Sequence, residues 1–214
     1  MEIAIPLFDG FTTLDAMGPF QVLSALPGAH ARFLATEAGP VLSDNRMLTV
    51  MAEGCYEDVP HPEVLVVPGG PGTRALLDDE RVLDWVRSAH ASSRYTTSVC
   101  TGSLVLAAAG LLEGVEATTH WRSRDELGSL GARPIPERVV ERGRVITAAG
   151  VSAGIDMALR LAELIAGAQM AQAIQLNIEY DPQPPFDSGS PEKAPDDVIA
   201  LVRGVEADSE RPRG

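Results

Sequence analysis

The sequence predicts an α/β protein, a parallel sheet sandwiched by helices, with a cysteine on a sharp turn at the edge of the sheet. Three observations carry that expectation. Continuous apolar runs such as Ile3 to Phe8 and Val64 to Val67 read as strands buried on both faces. They alternate with stretches of helical periodicity, the order that builds parallel sheets. The β-rich run Tyr95-Thr96-Thr97-Ser98-Val99 then changes, at Cys100, into the helix-forming run Leu104 to Ala109. A residue on such a turn points into the crevice at the carboxyl end of the sheet, which is the geometry of a nucleophile elbow. Gly102 lets the chain turn sharply there, and the following helix N-terminus favours a thiolate.

Each element follows in order. Ile3 to Phe8 is the first strand, and Asp9-Gly10 ends it. Proline suits a first helical turn, so the next helix is placed from about Pro19 to Ala25. Asp15 then lies just ahead of that helix with two roles open, a cap or an acid reaching over the crevice. His30 to Ala35 is a second strand and Gly39-Pro40 a turn. Val41 to Ser43 and Leu48 to Met51 pair as a hairpin around Asp44-Asn45-Arg46. Val64 to Val67 ends in Pro68-Gly69-Gly70-Pro71-Gly72. Glycines there let the backbone approach a ligand with N–H groups free, so Gly69 and Gly70 are candidate oxyanion donors. P-loop spacing and its lysine are absent.

Asp79 to His90 carries Val82, Leu83, Trp85, Val86 and Ala89 on one buried helical face. Beyond the elbow helix, Glu116 to Thr119 is a short strand leading to His120-Trp121 and a helix to about Leu130. Val139 to Glu141 and Arg144 to Thr147 form a hairpin at Arg142-Gly143. Ala148 to Gly154 opens a helix from Ile155 to Ile165, and Gln169 to about Ile178 is the next. Tyr180 to Pro195 is proline-rich and expected to be extended. A helix from Asp196 to about Glu206 follows, with Ala207 to Gly214 as a frayed tail. One domain over 1–206 is expected, the segment 180–195 included.

Composition narrows the function classes. The chain has 214 residues, enough for a substantial core. Its 30 acids against 17 bases give a net charge of −13, and Lys193 is the single lysine. That balance argues against nucleic acid and anionic membranes as partners, since both need basic clusters. No apolar stretch of about twenty residues marks a membrane span. Met1-Glu2-Ile3 runs straight into a strand, so no signal peptide is expected. Cys55 and Cys100 make no disulfide framework, and a cytoplasmic protein with a free thiol is expected.

Asp15, Gly69-Gly70 and Cys100 each follow a core strand. In parallel sheets ligands bind beyond the carboxyl ends of the strands, so these groups are expected to meet at one site. Together with Gly18-Pro19, Ser98-Val99-Cys100-Thr101-Gly102-Ser103-Leu104, Ala117-Thr118-Thr119-His120-Trp121, Ala153-Gly154-Ile155-Asp156 and the segment Tyr180 to Pro191, they resemble the ThiJ/PfpI superfamily, and within it the isocyanide hydratases. The resemblance covers nearly the whole chain. It implies a flavodoxin-like homodimer without metal or organic cofactor. It also implies Cys100 as nucleophile, Asp15 as acid and base, Thr101 as a supporting hydroxyl, and a small-molecule isocyanide as substrate.

Departures accompany it. Many members of the superfamily carry glutamate at the position of Asp15. The peptidase branch has histidine directly after the cysteine, where this chain has Thr101, and a Cys-His protease needs its base on the thiol. Hydratases have glycines where this chain has Ala148-Ala149, and Ile and Thr where it has Val151 and Ser152, changes that bear on packing around the cysteine and on substrate choice. His120, twenty residues after Cys100, stands where glyoxalase-like relatives use histidine, which makes it the rival base. A thiol beside a carboxyl is expected to titrate as a coupled pair sharing one proton, with the helix terminus favouring charge on sulfur. A glyoxalase or deglycase acting on small aldehydes is the alternative activity, and a ligand-sensing or redox-sensing domain is the alternative to an enzyme. Cys55, outside any elbow, is read as inert.

Overall fold

The computed structural model describes residues 1–209. In chain order the elements are β1 (Glu2–Pro6), α1 (Thr13–Leu23), β2 (His30–Ala35), β3 (Gly39–Leu42), β4 (Thr49–Ala52), β5 (Gly54–Cys55), β6 (Val64–Val67), α2 (Thr73–Leu76), α3 (Glu80–Ser92), β7 (Tyr95–Val99) and α4 (Gly102–Ala108). There follow β8 (Glu116–Ala117), α5 (Arg124–Ser129), β9 (Arg133–Pro134), β10 (Val139–Arg142), β11 (Val145–Ala148), α6 (Ala153–Ala166), α7 (Ala168–Asn177) and α8 (Asp196–Ser209). Where the sequence reading has one domain running through residue 206, Cα packing sets a second compact unit apart from Tyr180 onward, the first being Met1–Glu179.

In the first unit, seven strands form one sheet in the order β5-β2-β1-β6-β7-β11-β10. All pairs are parallel except the β10–β11 hairpin. Its five central strands, taken in sequence order, run 2-1-3-4-5, the flavodoxin-like arrangement. The order reverses between β1 and β6, so the crevice at their carboxyl ends is a binding position set by topology alone. The apolar strands are buried on both faces because helices cover both. Ile3 and Ile5 of β1 and Val64 and Val66 of β6 pack with Val22 and Leu23 of α1 and Met157 and Leu161 of α6. Ala4, Leu65 and Val67 face the other way, onto Val82 and Val86 of α3 and Leu104 and Leu106 of α4. Burying each larger side chain contributes about 1.5–3 kcal/mol, and a one-residue slip of either strand would exchange its two faces.

Four expectations are corrected. Helix α1 begins at Thr13, so Pro19 lies in its interior rather than its first turn. The proline leaves the Asp15 carbonyl without its helical N–H. The helix persists because α1 crosses α6 closely through small residues. A Cβ at Gly18 would lie 3.0 Å from Ile155 Cγ1, and one at Gly154 would lie 3.3 Å from Pro19 Cγ. Second, Gly39-Pro40 belongs to β3 rather than to a turn, with proline on an edge strand where its missing N–H costs least. Third, the segment after His120 starts as a 3-10 turn, Trp121–Ser123, before α5. Fourth, α8 continues to Ser209, past the end expected at about Glu206; residues 210–214 of the expected tail lie outside the described residues. The segment from Tyr180 to Pro195 contains no regular element, as its prolines dictate.

Candidate active site

Cys100 sits between β7 and α4 with a φ of +55°, in the left-handed region that a non-glycine residue enters at a cost of about 1 kcal/mol or more. Its neighbours hold it there. The Cys100 N–H donates to the carbonyls of Ala149 (2.8 Å) and Ala148 (3.0 Å) at the end of β11. Its own carbonyl accepts the hydroxyls of Thr119 (3.0 Å) and Ser103 (3.1 Å). The turn is thus pinned from both sides, and Cys100 is buried, 6% exposed as a residue. Thr119 and the two alanine carbonyls have no motif that marks them as elbow clamps, and only their position in the fold reveals them.

Asp15 reaches the same point from the first turn of α1 and is fully buried. Its side chain does not cap the helix. The N-cap is Thr12, whose hydroxyl bonds away from the helix, to Asp44 Oδ2 at 2.9 Å. Asp15 Oδ2 instead accepts the Gly69 N–H at 3.0 Å, 54 residues distant in sequence. Its Oδ1 is buried with no hydrogen-bond donor, an arrangement that favours a proton on the carboxyl. Burial is the largest cause raising its pKa to about 7, and the Asp44 charge adds to it; the Gly69 N–H and the Cys100 thiol pull the other way.

The thiol is also raised, first by burial and then by the Asp15 charge, against the lowering by the Thr101 N–H and hydroxyl. Burial and the Asp15 charge thus oppose the expected preference of the helix terminus for charge on sulfur. Helix α4 is only 7 residues long, and desolvation outweighs what its first turn offers. Near neutral pH the pair holds one proton more than a free thiolate and carboxylate would, and the carboxyl exchanges it.

Gly69 and Gly70 do come to this site, but not as free oxyanion donors. The Gly69 N–H is committed to Asp15, and the Gly70 N–H donates to Thr101 Oγ1 at 2.8 Å. They tie the carboxyl and the hydroxyl to the end of β6. Position 69 admits no side chain. A Cβ there would lie 2.6 Å from the Thr101 nitrogen and 2.8 Å from both Asp15 Oδ2 and Thr101 Oγ1.

The remaining candidates stand further out. His120 packs against Gly150, next to Ala149; the nearest ring atom lies 3.4 Å from where a Gly150 Cβ would be. Its partial burial, and then the charges of Arg122 and Arg124, lower its pKa to about 4. It is neutral at physiological pH and is not among the groups that perturb the thiol. Val151 is half-buried in the turn before α6. Ser152 is exposed, and its hydroxyl accepts Arg138 Nη2 at 3.2 Å, beside the Arg138–Asp156 ion pair. Its hydroxyl thus serves a surface contact. Among the described residues, no cluster of three or more His, Cys, Asp or Glu side chains is placed to hold a metal ion. No helix of the described chain is long and apolar enough to cross a membrane.

Residues 1–164 match the DJ-1/PfpI family. A curated relative, an isonitrile hydratase of Pseudomonas putida, is 47% identical over 95% of this chain and 89% of its own length. An HTH-type transcriptional regulator of Pseudomonas aeruginosa is 32% identical over 77% of this chain, which spans only 51% of that protein. A ThiJ/PfpI family protein of Pseudomonas syringae superposes with a TM-score of 0.92 at 38% identity, over 97% of this chain and 86% of that one.

Proposed function

The chain belongs to the DJ-1/PfpI family, and we infer that it is a lyase hydrating isocyanides, also called isonitriles, to N-substituted formamides. The 47% identity to the isonitrile hydratase supports the substrate class. The site assignment is supported by Asp15, a fully buried carboxyl whose burial raises its pKa to about 7 and whose charge acts on the Cys100 thiol. No metal or organic cofactor takes part in the proposed reaction.

An isocyanide carbon needs a nucleophile and a proton at the same atom. The pair holds both. With Asp15 ionised and Cys100 as thiol, the carboxylate takes the thiol proton as sulfur attacks, and the new carboxylic acid delivers it to the carbon. The product is a thioimidate, R–N=CH–S–Cys100. Asp15 is again a carboxylate and removes a proton from water as the water attacks that carbon; the proton passes to nitrogen. The tetrahedral R–NH–CH(OH)–S–Cys100 then collapses. The C–S bond breaks, the hydroxyl proton returns through Asp15 to sulfur, and R–NH–CHO leaves with the thiol restored. Thr101 supports the charge on sulfur through its N–H and hydroxyl. His120, neutral and off the thiol, is assigned no proton transfer and instead forms part of the wall beside Gly150.

The test is mass detection of the formamide from an alkyl isocyanide, with methylglyoxal as the competing substrate on the same preparation. Turnover of methylglyoxal alone would replace this reading with the aldehyde one. We further propose a homodimer in the cytoplasm. Exposed Met47, Leu48 and Met51 on the β3–β4 hairpin support an interface, and sedimentation at micromolar concentration tests it.

A further inference from the structure

Strand β8 forms a two-stranded ribbon with β9, separate from the seven-stranded sheet that carries the elbow. Two hydroxyls dock the end of that ribbon onto the sheet. Thr147 of β11 accepts the Thr118 N–H at 2.9 Å through its side-chain oxygen. The next residue, Thr119, donates its hydroxyl to the Cys100 carbonyl at 3.0 Å. Strand β11 also takes the other end of the cysteine, since the Cys100 N–H donates to the carbonyl of Ala148, the residue after Thr147. The bonds close a ring. It runs from Thr147 to the Thr118 backbone, through the Thr119 hydroxyl to the Cys100 carbonyl, and from the Cys100 N–H back to β11. All three threonines are buried.

The donors on the Cys100 carbonyl are not equivalent. Ser103 offers its hydroxyl at 3.1 Å and its N–H at 3.4 Å, but it belongs to the first turn of α4 and moves with the elbow. Thr119 lies 19 residues away and reaches the carbonyl from a different element. A left-handed cysteine, here with φ of +55°, persists only where its surroundings over-determine it. On the carbonyl side Thr119 supplies the hold that does not rotate with the peptide. Thr147 fixes Thr119 in turn. A buried N–H without an acceptor is costly, so the Thr118 backbone stays on β11 and sets the reach of the side chain that follows. The Thr118 hydroxyl itself has no hydrogen-bond partner among the described residues. Of three adjacent buried threonines, two hydroxyls serve the ring and one does not.

We propose that Thr119 is a positioning residue for the nucleophile, held in place by Thr147, and that its hydroxyl keeps the elbow in the left-handed turn that buries Cys100. The proposal rests on the reading of Cys100 as the nucleophile, but its first consequence, the accessibility of the thiol, needs no substrate.

Two rates on the full-length protein, measured well below its unfolding midpoint, test this: alkylation of Cys100 by iodoacetamide at pH 8 in the Cys55→Ser background, and formamide production from an alkyl isocyanide. Thr119→Val keeps the shape and removes the hydroxyl. The turn then opens more often, and alkylation is expected to quicken by about tenfold, the worth of one hydrogen bond. Turnover moves the opposite way: kcat falls by about tenfold while KM stays within about twofold, because the thiol is misplaced rather than the substrate unbound. Thr119→Ser restores both rates. Thr147→Val shifts both in the same directions by about threefold, and adds nothing in the Thr119→Val background, since it acts through that residue. Thr118→Val, which removes the hydroxyl outside the ring, leaves both rates as they are. Thr119→Ala gives the same split should the valine variant fold poorly. Unchanged alkylation in Thr119→Val, or an equal change in Thr118→Val, overturns the proposal, because a merely structural threonine lowers the midpoint without separating the two rates. If alkylation behaves as expected while wild-type protein forms no formamide, the hydration reading fails and the hold of Thr119 on the elbow stands.

Discussion

The two cysteines of this chain look alike at short range. Cys55 ends β5 and Cys100 follows β7, each has at least one carboxyl beside it, and each thiol is raised above its ordinary pKa. Cys55 has φ of −93° and sits partly exposed before an acidic 3-10 turn, where Asp58 and Glu57 bond to it. Of these, Glu57 has no proton to trade near neutral pH. Arg81 holds Glu57 at a pKa of about 2 through a 2.8 Å ion pair, and Asp58 Oδ2 accepts the Cys55 N–H. At Cys100 the neighbouring carboxyl is fully buried and its pKa is raised to about 7. A thiol with a carboxylate next to it is therefore not yet a site. What separates the two is whether the carboxyl can gain and lose a proton at working pH.

The largest expected effect comes from removing the thiols in turn. Cys100→Ala is expected to abolish formamide production, while Cys55→Ser stays within about twofold of wild type, as surface changes usually do. Comparable losses in both variants, or turnover in Cys100→Ala, would erase the distinction drawn between them.

Next in size is the carboxyl. Asp15→Asn keeps an acceptor for the Gly69 N–H but carries no transferable proton, so kcat/KM is expected to fall about a hundredfold or more. Glu57→Gln, the matching change at Cys55, leaves it unaltered. The same Asp15 variant sharpens the point thermodynamically. A carboxyl raised from 3.8 to about 7 destabilises the fold once ionised. That cost is absent below about pH 4, grows as pH rises, and reaches about 4 kcal/mol above pH 7 as an upper limit. Asp15→Asn removes it, so the variant's thermal midpoint is expected to exceed wild type at pH 8 by roughly ten degrees at most and to match it near pH 4. An activity loss accompanied by a fall in midpoint at pH 8 would mean that Asp15 is structural.

A smaller effect tests what sets that pKa. Hydration requires the ionised carboxyl, so kcat/KM is expected to rise with pH through about 7. Asp44→Asn keeps an acceptor for Thr12 and removes the charge that helps raise Asp15. The acid limb is expected to shift downward by a fraction of a pH unit, to about one unit at most, with little change in the plateau. A limb that stays in place would assign the whole rise to burial. The smallest effect is reserved for the rival base: His120→Gln is expected to alter KM more than kcat, because the ring is neutral and off the thiol. A hundredfold loss in kcat would restore it as the base.

Several features were legible before any fold was drawn. The apolar runs at Ile3 and Val64, bracketed by helical periodicity, require strands covered on both faces, because so much apolar surface must leave water. A cysteine where strand residues give way to helix residues requires a turn, and a glycine pair after a core strand requires close backbone approach. The local chain chemistry is sufficient for those statements. Other features depend on groups far apart in sequence. Asp15 looks like a cap until β6 brings Gly69 to within 3.0 Å of it. The glycine N–H groups look free until Asp15 and Thr101 take them. Pro19 reads as a helix start because its local penalty is visible in the sequence, whereas the α1–α6 contact that holds it is not. Burial decides the rest. A thiol at a helix start reads as acidic on local grounds, and only the fold reveals the desolvation and the buried carboxyl that oppose it. The sequence by itself determines which residues can ionise and where the chain must turn; the tertiary structure decides which of those residues lose their water, and loss of water sets the proton's place.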